Sequence, residues 1–181
     1  MDESVASCQL ETDRVRLLSW KESDAEKFQP ISSDPEVMRY INGGRPWTGD
    51  ELAEFIGRQM RHEASRGICL WRMVRKTDGE TIGSCGLQPL EIGGRDEVEV
   101  GWWLARGCWG KGLATEAARS VLRYAFERAG LARVIAIAMP ENLASRRIME
   151  KIGMRYESET EHKGFRVVLY SASRGPRSAV Q

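Results

Sequence analysis

The chain has 181 residues, 41% of them hydrophobic and 29% charged, with a formal net charge of +1 at pH 7. These values are typical of one soluble globular domain, and the near-zero charge gives no indication of a nucleic-acid partner or an anionic membrane. The N-terminal residues lack the pattern of a signal peptide, and no apolar run approaches the roughly 18 residues of a membrane helix. Four scattered cysteines and two isolated histidines predict neither disulfides nor a metal site, so we expect a cytoplasmic protein.

Hydrophobic periodicity and turn residues predict alternating helices and strands along the chain. The first half is predicted to contain a strand at 14–18, a short helix at 21–28 that ends before Pro30, a helix at 34–41, a loop at 42–46 and an amphipathic helix at 49–65. The second half is predicted to contain strands at 68–74, 81–90 and 97–104, a glycine-rich loop at 106–112, a helix at 115–128, a strand at 133–138, a helix at 142–152 and strands at 155–161 and 165–170.

These elements predict an α/β (α+β) protein with a central mixed sheet of six to seven strands flanked by helices. We expect a single domain over residues 10–171. The small and polar segments 1–9 and 172–181 are predicted to be flexible termini.

The segment Trp109-Gly-Lys-Gly-Leu-Ala114 stands between a predicted strand and a predicted helix. Gly110 and Gly112 let the backbone approach a ligand, and the free amides at the start of the helix attract an anion. The segment is neither a Walker phosphate loop nor a Gly-x-Gly-x-x-Gly dinucleotide fingerprint. It favours a pyrophosphate site, although a plain strand-to-helix turn explains the motif equally well when it is taken alone.

Three ordered motifs resemble those of the GNAT acetyltransferase superfamily. They are Glu99-Val-Gly-Trp-Trp-Leu104, the segment 109–117 and the segment 140–154, which begins Pro140-Glu-Asn-Leu-Ala-Ser145. Together with residues 11–17, they look most like the RimJ/RimL branch, whose known members acetylate protein N-termini. The resemblance covers roughly residues 10–170. It implies a mostly antiparallel sheet in which the strand ending at Leu104 splays from the strand at 133–138, so that acetyl-CoA binds in the gap without a metal.

The same resemblance implies which residues bind acetyl-CoA. The pyrophosphate motif Gln/Arg-x-x-Gly-x-Gly/Ala falls on 109–114, with Trp109 in place of Gln/Arg. Backbone groups near Trp103 and Leu104 are implied to hold the pantetheine arm and to stabilise the oxyanion. Asn142 matches an asparagine that contacts this arm, and a helix cap is a second role open to it. The predicted set of CoA contacts is Trp103, Leu104, Trp109, Gly110, Lys111, Gly112, Leu113, Ala114, Thr115, Asn142 and Ser145, with Arg146 and Arg147 as further phosphate candidates.

Acetyl transfer to an amine requires a base, because an ammonium has no lone pair, and it benefits from a donor to the leaving thiolate. Glu99 is the candidate base, with Glu97 on the same strand face as the fallback and an ion-paired or solvated carboxylate as the alternative role. Many superfamily members have a tyrosine where this chain has Met149, which cannot donate a proton. The RimJ/RimL branch has a serine that matches Ser145, so Ser145 is the candidate donor unless it only caps a helix. Cys108 is expected to pack rather than to carry the acetyl group.

The loop at 43–47 is implied to overhang the acceptor, with Arg39, Tyr40, Arg45 and Trp47 as candidate lining residues. The favoured function is acetylation of a protein or peptide N-terminal α-amine by direct attack in a ternary complex. Acetylation of a small amine (an amino acid, polyamine or antibiotic) and a non-catalytic acyl-CoA-binding module are the alternatives. An anionic groove would favour a polycationic acceptor. We expect no nucleic-acid or membrane partner, and a monomer or homodimer.

Overall fold

The computed structural model describes residues 7–175, so the predictions for residues 1–6 and 176–181 lie outside the described residues. Within this range, eight strands and five α-helices follow one another. They are β1 (Cys8–Glu11), β2 (Val15–Leu18), α1 (Ala25–Ser32), α2 (Pro35–Met38), α3 (Gly49–Arg66), β3 (Leu70–Arg75), β4 (Thr81–Ile92), β5 (Arg95–Leu104), α4 (Leu113–Glu127), β6 (Arg133–Ala138), α5 (Leu143–Lys151), β7 (Arg155–His162) and β8 (Phe165–Ser173). Short 3-10 turns cover Glu22–Asp24, Asn42–Gly44 and Arg106–Cys108.

The eight described strands form one mixed sheet in the order β1-β2-β3-β4-β5-β6-β8-β7. Every neighbouring pair is antiparallel except β5 and β6, which are parallel. These two strands share one register position, at which Glu99 faces Ile135. Since β5 runs on to Leu104 and β6 to Ala138 without further pairing, the sheet opens at this point, where a splayed pair is expected.

Two glycines on β4 let the strand lie unusually close to its neighbours. A Cβ atom on Gly83 would lie 2.2 Å from the carbonyl oxygen of Trp103, and one on Gly86 would lie 2.0 Å from that of Cys69. Both distances are too short for any side chain, so these positions require glycine. β5 is thereby held firmly along its β4 edge while its other edge stays open.

Helices cover both faces of the sheet. On one face, Trp103 of β5 packs edge-on against Phe28 of α1 and Phe55 of α3, with ring centroids 5.1 and 5.5 Å apart. On the other face, Trp71 of β3 packs against Tyr124 of α4 at 5.4 Å. α3 begins where the Thr48 side chain accepts a hydrogen bond in a capping box. Buried side chains therefore pack on both faces of the sheet.

The fold class is as expected, with differences at the ends of elements. The sheet has eight strands rather than six or seven because Cys8–Glu11 pairs with β2, although four mostly polar residues carry little periodic signal. The strands β1 and β8 also extend the folded part slightly beyond the predicted limits of 10 and 171. α1 continues through Pro30 because Phe28 and Ile31 are buried on either side of it. Among residues 7–175, no helix is long and apolar enough to cross a membrane.

Candidate active site

A cavity of about 530 Å³ opens where β5 and β6 diverge. Its walls come from both strands, α3, the start of α5, the loop after α2 and the β7–β8 turn. Six of the residues that the sequence singles out line it together: Tyr40, Trp47, Glu99, Trp103, Asn142 and Ser145. Although they come from distant parts of the chain, the fold places the predicted base, the predicted thiolate donor and part of the predicted acceptor site around one cavity.

Glu99 is buried beside this cavity, with only 8% of its surface exposed. The Gln88 side chain on β4 donates a hydrogen bond from Nε2 to Glu99 Oε2 at 2.7 Å, and the backbone N–H of Ile137 also donates to the carboxylate. Burial outweighs these bonds and raises the pKa of Glu99 to about 7. A carboxylate with such a pKa is well suited to take up and release a proton near neutral pH.

Glu97, the fallback base, has a different environment. The Arg133 guanidinium lies 3.1 Å from Glu97 Oε1 and also 2.6 Å from Glu157 Oε1. Glu97 is absent from the lining of the cavity at Glu99. Its role is therefore an ion pair that ties β5 to β6 and β7, and the fallback assignment is wrong.

The loop before α4 presents free backbone donors. Gly110 and Gly112 have φ values of +71° and +76°, which glycine adopts without strain. Across the described part of the chain, no acceptor receives a hydrogen bond from the backbone N–H groups of residues 110–115. All six of these residues, Gly110, Lys111, Gly112, Leu113, Ala114 and Thr115, belong to the predicted CoA contacts. A row of free amides at a helix N-terminus is a site for an anion such as a pyrophosphate.

A clamp from the turn between β1 and β2 holds this loop. The Arg14 guanidinium donates to the Lys111 carbonyl oxygen at 2.9 Å and pairs with the Glu116 carboxylate at 2.6 Å. Glu116 also accepts a hydrogen bond from the Thr12 hydroxyl at 2.6 Å. Because Glu116 lies in the first turn of α4, the clamp fixes the loop and the helix start together. Sequence reasoning missed it, since its partners are more than a hundred positions apart.

Trp109 connects the loop to the end of β5. Its indole N–H donates to the Leu104 carbonyl oxygen at 2.9 Å. The backbone N–H of Ala105 donates towards β4, to Ile82. Because backbone groups alternate along a strand, those of Leu104 point the other way, into the β5–β6 opening, whereas those of Trp103 point towards β4. Of the two residues expected to supply an oxyanion donor, only Leu104 therefore has a backbone N–H that points into the opening.

Asn142 and Ser145 lie together at the start of α5. Asn142 Oδ1 accepts a hydrogen bond from the backbone N–H of Ser145 at 3.1 Å, so Asn142 does cap this helix. Within residues 7–175, neither the Asn142 side-chain NH₂ nor the Ser145 hydroxyl has a hydrogen-bond partner. Met149, one turn further on, is 1% exposed and belongs to the core. The two polar groups thus remain available to a ligand in the cavity.

The predicted acceptor residues divide into two groups. Tyr40 and Trp47 line the cavity, and Trp47 packs edge-on against Trp103 with ring centroids 4.9 Å apart. Arg45 lies outside it, because its guanidinium pairs with Glu51 at the start of α3. Arg39 also lies outside it, 5.5 Å from the Tyr40 ring centroid. Both arginines are therefore wrong as lining residues of this cavity.

Several cavity residues carry no motif that sequence reasoning could use. Arg58 of α3 follows Phe55 at helical spacing and faces the cavity with it. His162, Lys163 and Phe165 reach the cavity from the turn between β7 and β8. Only the approach of this turn to β5 in three dimensions identifies them.

The remaining candidates lie outside the cavity. Cys108 is buried beside Arg75, with 3.6 Å between Sγ and Nη1, and packs as expected. Arg146 donates to the Pro140 carbonyl oxygen at 3.1 Å, while Lys111 and Arg147 are exposed. In the part of the chain that the structure describes, no three His, Cys, Asp or Glu side chains are grouped so as to hold a metal ion.

Comparison with known proteins extends these observations. A family model described as "Acetyltransferase (GNAT) domain" matches residues 14–155. The Bacillus subtilis (strain 168) protein YkkB is 38% identical over 152 residues, covering 83% of this chain and 87% of that protein. The Aspergillus fumigatus protein FsC-acetyl coenzyme A-N(2)-transacetylase is 34% identical over 154 residues, covering 81% of this chain and 65% of that protein.

Among solved structures, RimL, a ribosomal L7/L12 alpha-N-protein acetyltransferase in complex with coenzyme A, has a similar fold. The TM-score is 0.77 at 14% identity, with 92% of this chain and 98% of that chain covered. At this identity the likeness concerns the fold alone. The family match and the relatives confirm the fold and the class of enzyme expected from the three motifs. This chain belongs to the GNAT family of N-acetyltransferases, enzymes that use acetyl-CoA.

Proposed function

We propose that this chain transfers the acetyl group of acetyl-CoA directly to a primary amine, with Glu99 as the general base. One observation carries the proposal: a buried carboxylate with a pKa raised to about 7 lines the cavity that opens between β5 and β6. Free amides at residues 110–115 and the open edge of β5 support binding of acetyl-CoA along the same opening. A binding module without activity would not need to bury a carboxylate at the cavity.

Acetyl-CoA supplies an activated thioester, and the residues of the chain handle the protons. Glu99 accepts a proton from the acceptor, which leaves a neutral amine with a lone pair. The lone pair forms the new N–C bond while the C–S bond breaks and its electrons go to sulfur. The attacking nitrogen loses its second proton and the thiolate takes one up, so the products are an amide and the free thiol of CoA, with one proton left on Glu99. The backbone N–H of Leu104 is proposed to donate to the acetyl oxygen as it gains negative charge.

Ser145 is proposed to donate a hydrogen bond to the sulfur as the thiolate leaves. Its hydroxyl lines the cavity and is unpaired within residues 7–175. Ser145→Ala is expected to lower kcat about tenfold, because one hydrogen bond to a charged group is lost. The Kd of acetyl-CoA, measured by calorimetry, should change less than kcat. A loss confined to binding, with kcat unchanged, would remove the catalytic role of this hydroxyl.

Arg14 is proposed to position the pyrophosphate loop without touching the reacting atoms. Arg14→Gln removes the bonds to the Lys111 carbonyl and the Glu116 carboxylate. We expect the KM for acetyl-CoA to rise about threefold to tenfold while kcat stays close to its original value. Arg16→Gln is the matched control, because Arg16 is an exposed arginine two positions along β2 that does not contact the loop. An equal effect of both substitutions on KM would contradict the positioning role.

The acceptor is proposed to be an N-terminal α-amine of a protein or peptide. RimL, which shares the fold, is described as an alpha-N-protein acetyltransferase, and the motifs of this chain resemble its branch. An α-amine with a pKa near ~8 requires only a mild base, which suits Glu99. A small amine is the second candidate, because the 34% identical relative is named an N(2)-transacetylase and the cavity is compact.

A turnover screen distinguishes the acceptors. Release of free thiol from acetyl-CoA would be followed with short peptides, free amino acids, polyamines and lysine derivatives, and the products identified by mass spectrometry. The proposal expects the highest kcat/KM for α-amines, with peptides ahead of free amino acids. Faster turnover of side-chain amines or polyamines than of every α-amine would overturn the α-amine assignment but not the acetyltransferase assignment.

A further inference from the structure

We propose that the acetyl acceptor carries a carboxylate close to its reacting amine, and that Arg58 and Lys163 bind this carboxylate on two walls of the cavity. The inference rests on the proposed function and names the class of acceptor that its site selects. It follows from the charges that line the cavity and from the backbone of the turn that carries Lys163.

Arg58 brings an uncompensated charge to one wall. It lies on α3, faces the cavity, and has its guanidinium carbon 5.7 Å from the Phe55 ring centroid. No carboxylate within residues 7–175 pairs with Arg58, whereas Arg14, Arg45 and Arg133 all do pair with carboxylates. A half-buried guanidinium supported by an aromatic ring but lacking an anion is well suited to bind a carboxylate through two hydrogen bonds.

Lys163 brings a second charge to the cavity from the turn between β7 and β8. It lies at the tip of the β7–β8 hairpin, where His162 pairs with Phe165 across a two-residue turn. Lys163 and Gly164 have φ values of +50° and +81°, the geometry of a type I′ turn. Asparagine or glycine normally occupies this first position, and lysine is strained there. Strain of this kind is retained where a side chain has a task. Lys163 lines the cavity, forms no salt bridge within residues 7–175, and its charge lowers the pKa of Glu99.

The balance of charge then defines the acceptor. The cavity lining contains two permanent cations, Arg58 and Lys163, and one carboxylate, Glu99. His162 also lines it, and burial lowers the pKa of His162, which disfavours a further positive charge there. An incoming ammonium would add a third positive charge, which a carboxylate on the same acceptor offsets. The lining is the opposite of the anionic groove that would favour a polyamine.

A carboxylate next to an amine has two sources. A free amino acid carries it on the α-carbon, and a peptide carries it on an acidic side chain at its first or second residue. Both sources present the same group to Arg58 and Lys163. The experiment therefore uses one pair of acceptors for each source, with the members differing only in carboxylate against carboxamide.

The test compares kcat/KM for an amino acid with that for its amide, and for a peptide beginning Ala-Asp with one beginning Ala-Asn. In the unmodified protein, the carboxylate member of at least one pair should react at least about tenfold more efficiently. Arg58→Gln and Lys163→Asn should each bring that ratio towards one. Because Lys163→Asn also removes a charge that lowers the pKa of Glu99, the readout is the ratio within each variant and not the absolute kcat/KM. Lys163→Asn removes the charge yet suits the type I′ turn, so folding is preserved. Arg61→Gln, an exposed arginine on the same helix, should keep the full ratio.

The pair that shows the preference identifies the source of the carboxylate. Equal efficiency within both pairs, or a preference that survives both Arg58→Gln and Lys163→Asn, would overturn the inference while the amine acetylation stands. Absence of amine-dependent thiol release with every acceptor would instead overturn the proposed function, and the inference with it.

Discussion

Glu99→Gln is expected to lower kcat/KM for amine acetylation by about 10²- to 10⁴-fold, the usual effect of removing a general base. The glutamine has the same shape as the glutamate but cannot accept a proton at neutral pH. In the unmodified protein, kcat/KM should rise with pH through about 7 as Glu99 ionises. The variant should lose this limb of the pH profile and retain the limb set by the acceptor amine near ~8. Initial rates of thiol release between pH 5 and 9 measure both.

The stability of the same variant separates catalysis from folding. The pKa of Glu99 is higher in the folded protein than the ordinary value of 4.5, because burial disfavours the charged form. This carboxyl therefore weakens the fold as pH rises through 4.5 towards 7. A neutral glutamine removes that cost, so the thermal unfolding temperature at pH 8 should not fall. A large drop in unfolding temperature would indicate that the lost activity reflects a damaged fold.

Glu97→Gln is the matched control for Glu99→Gln. Glu97 lies on the same face of β5 two residues earlier, but it pairs with Arg133. Its replacement should lower the unfolding temperature slightly and keep the pH limb near 7. If Glu99→Gln retained this limb and near-normal kcat/KM, the base would have to be a water chain or another residue.

Gly112→Ala is expected to raise the Kd and KM for acetyl-CoA about tenfold. Gly112 has a φ of +76° at the start of α4, a conformation that costs an L-residue about 1–2 kcal/mol. The nearest atom to an added Cβ is Arg14 Nη2 at 3.5 Å, an ordinary contact, so the effect is one of backbone conformation rather than of collision. The loop would relax to a negative φ and turn its free amides away from the pyrophosphate. Calorimetric titration with CoA measures this loss.

Gly130→Ala supplies the comparison for Gly112→Ala. Gly130 follows the other end of α4, with a φ of +71° and nothing within 4 Å of an added Cβ. The two substitutions impose similar backbone strain, so they should lower the unfolding temperature by similar amounts. Only Gly112→Ala should weaken CoA binding. Equal affinity for CoA in the two variants would place the pyrophosphate away from this loop.

The sequence predicts the parts of the site that depend on short stretches of chain. The strand with Glu99, the glycine loop and the Asn142-x-x-Ser145 helix start each lie within about ten residues, and their order identifies the family. Alternation along a strand puts Glu97 and Glu99 on one face, but it cannot tell them apart. The structure distinguishes them, because Arg133 forms an ion pair with Glu97, whereas Gln88 on the neighbouring strand donates a hydrogen bond to Glu99.

The features that sequence reasoning missed depend on long-range packing. The Arg14–Glu116 clamp joins the turn between β1 and β2 to the fourth helix, and no local pattern marks either partner. Lys163 reads in the sequence as an ordinary turn residue, and its approach to Glu99 arises from the path of the β7–β8 hairpin. Arg45 is the reverse case, because the sequence predicts that it lines the acceptor site. In the structure its guanidinium pairs with Glu51, which also takes part in the capping box of α3. In each case the outcome depends on which charged side chains lie close together in the folded protein.

The stoichiometry of acetyl transfer tests the central claim most directly. The protein would be incubated with acetyl-CoA alone and then with an α-amine acceptor, while free thiol and acetylated amine are both quantified. We expect little thiol release without the amine and, in its presence, one thiol for each acetylated amine over many turnovers. Tight binding of acetyl-CoA with no amine-dependent thiol release across peptides and small amines would contradict the account.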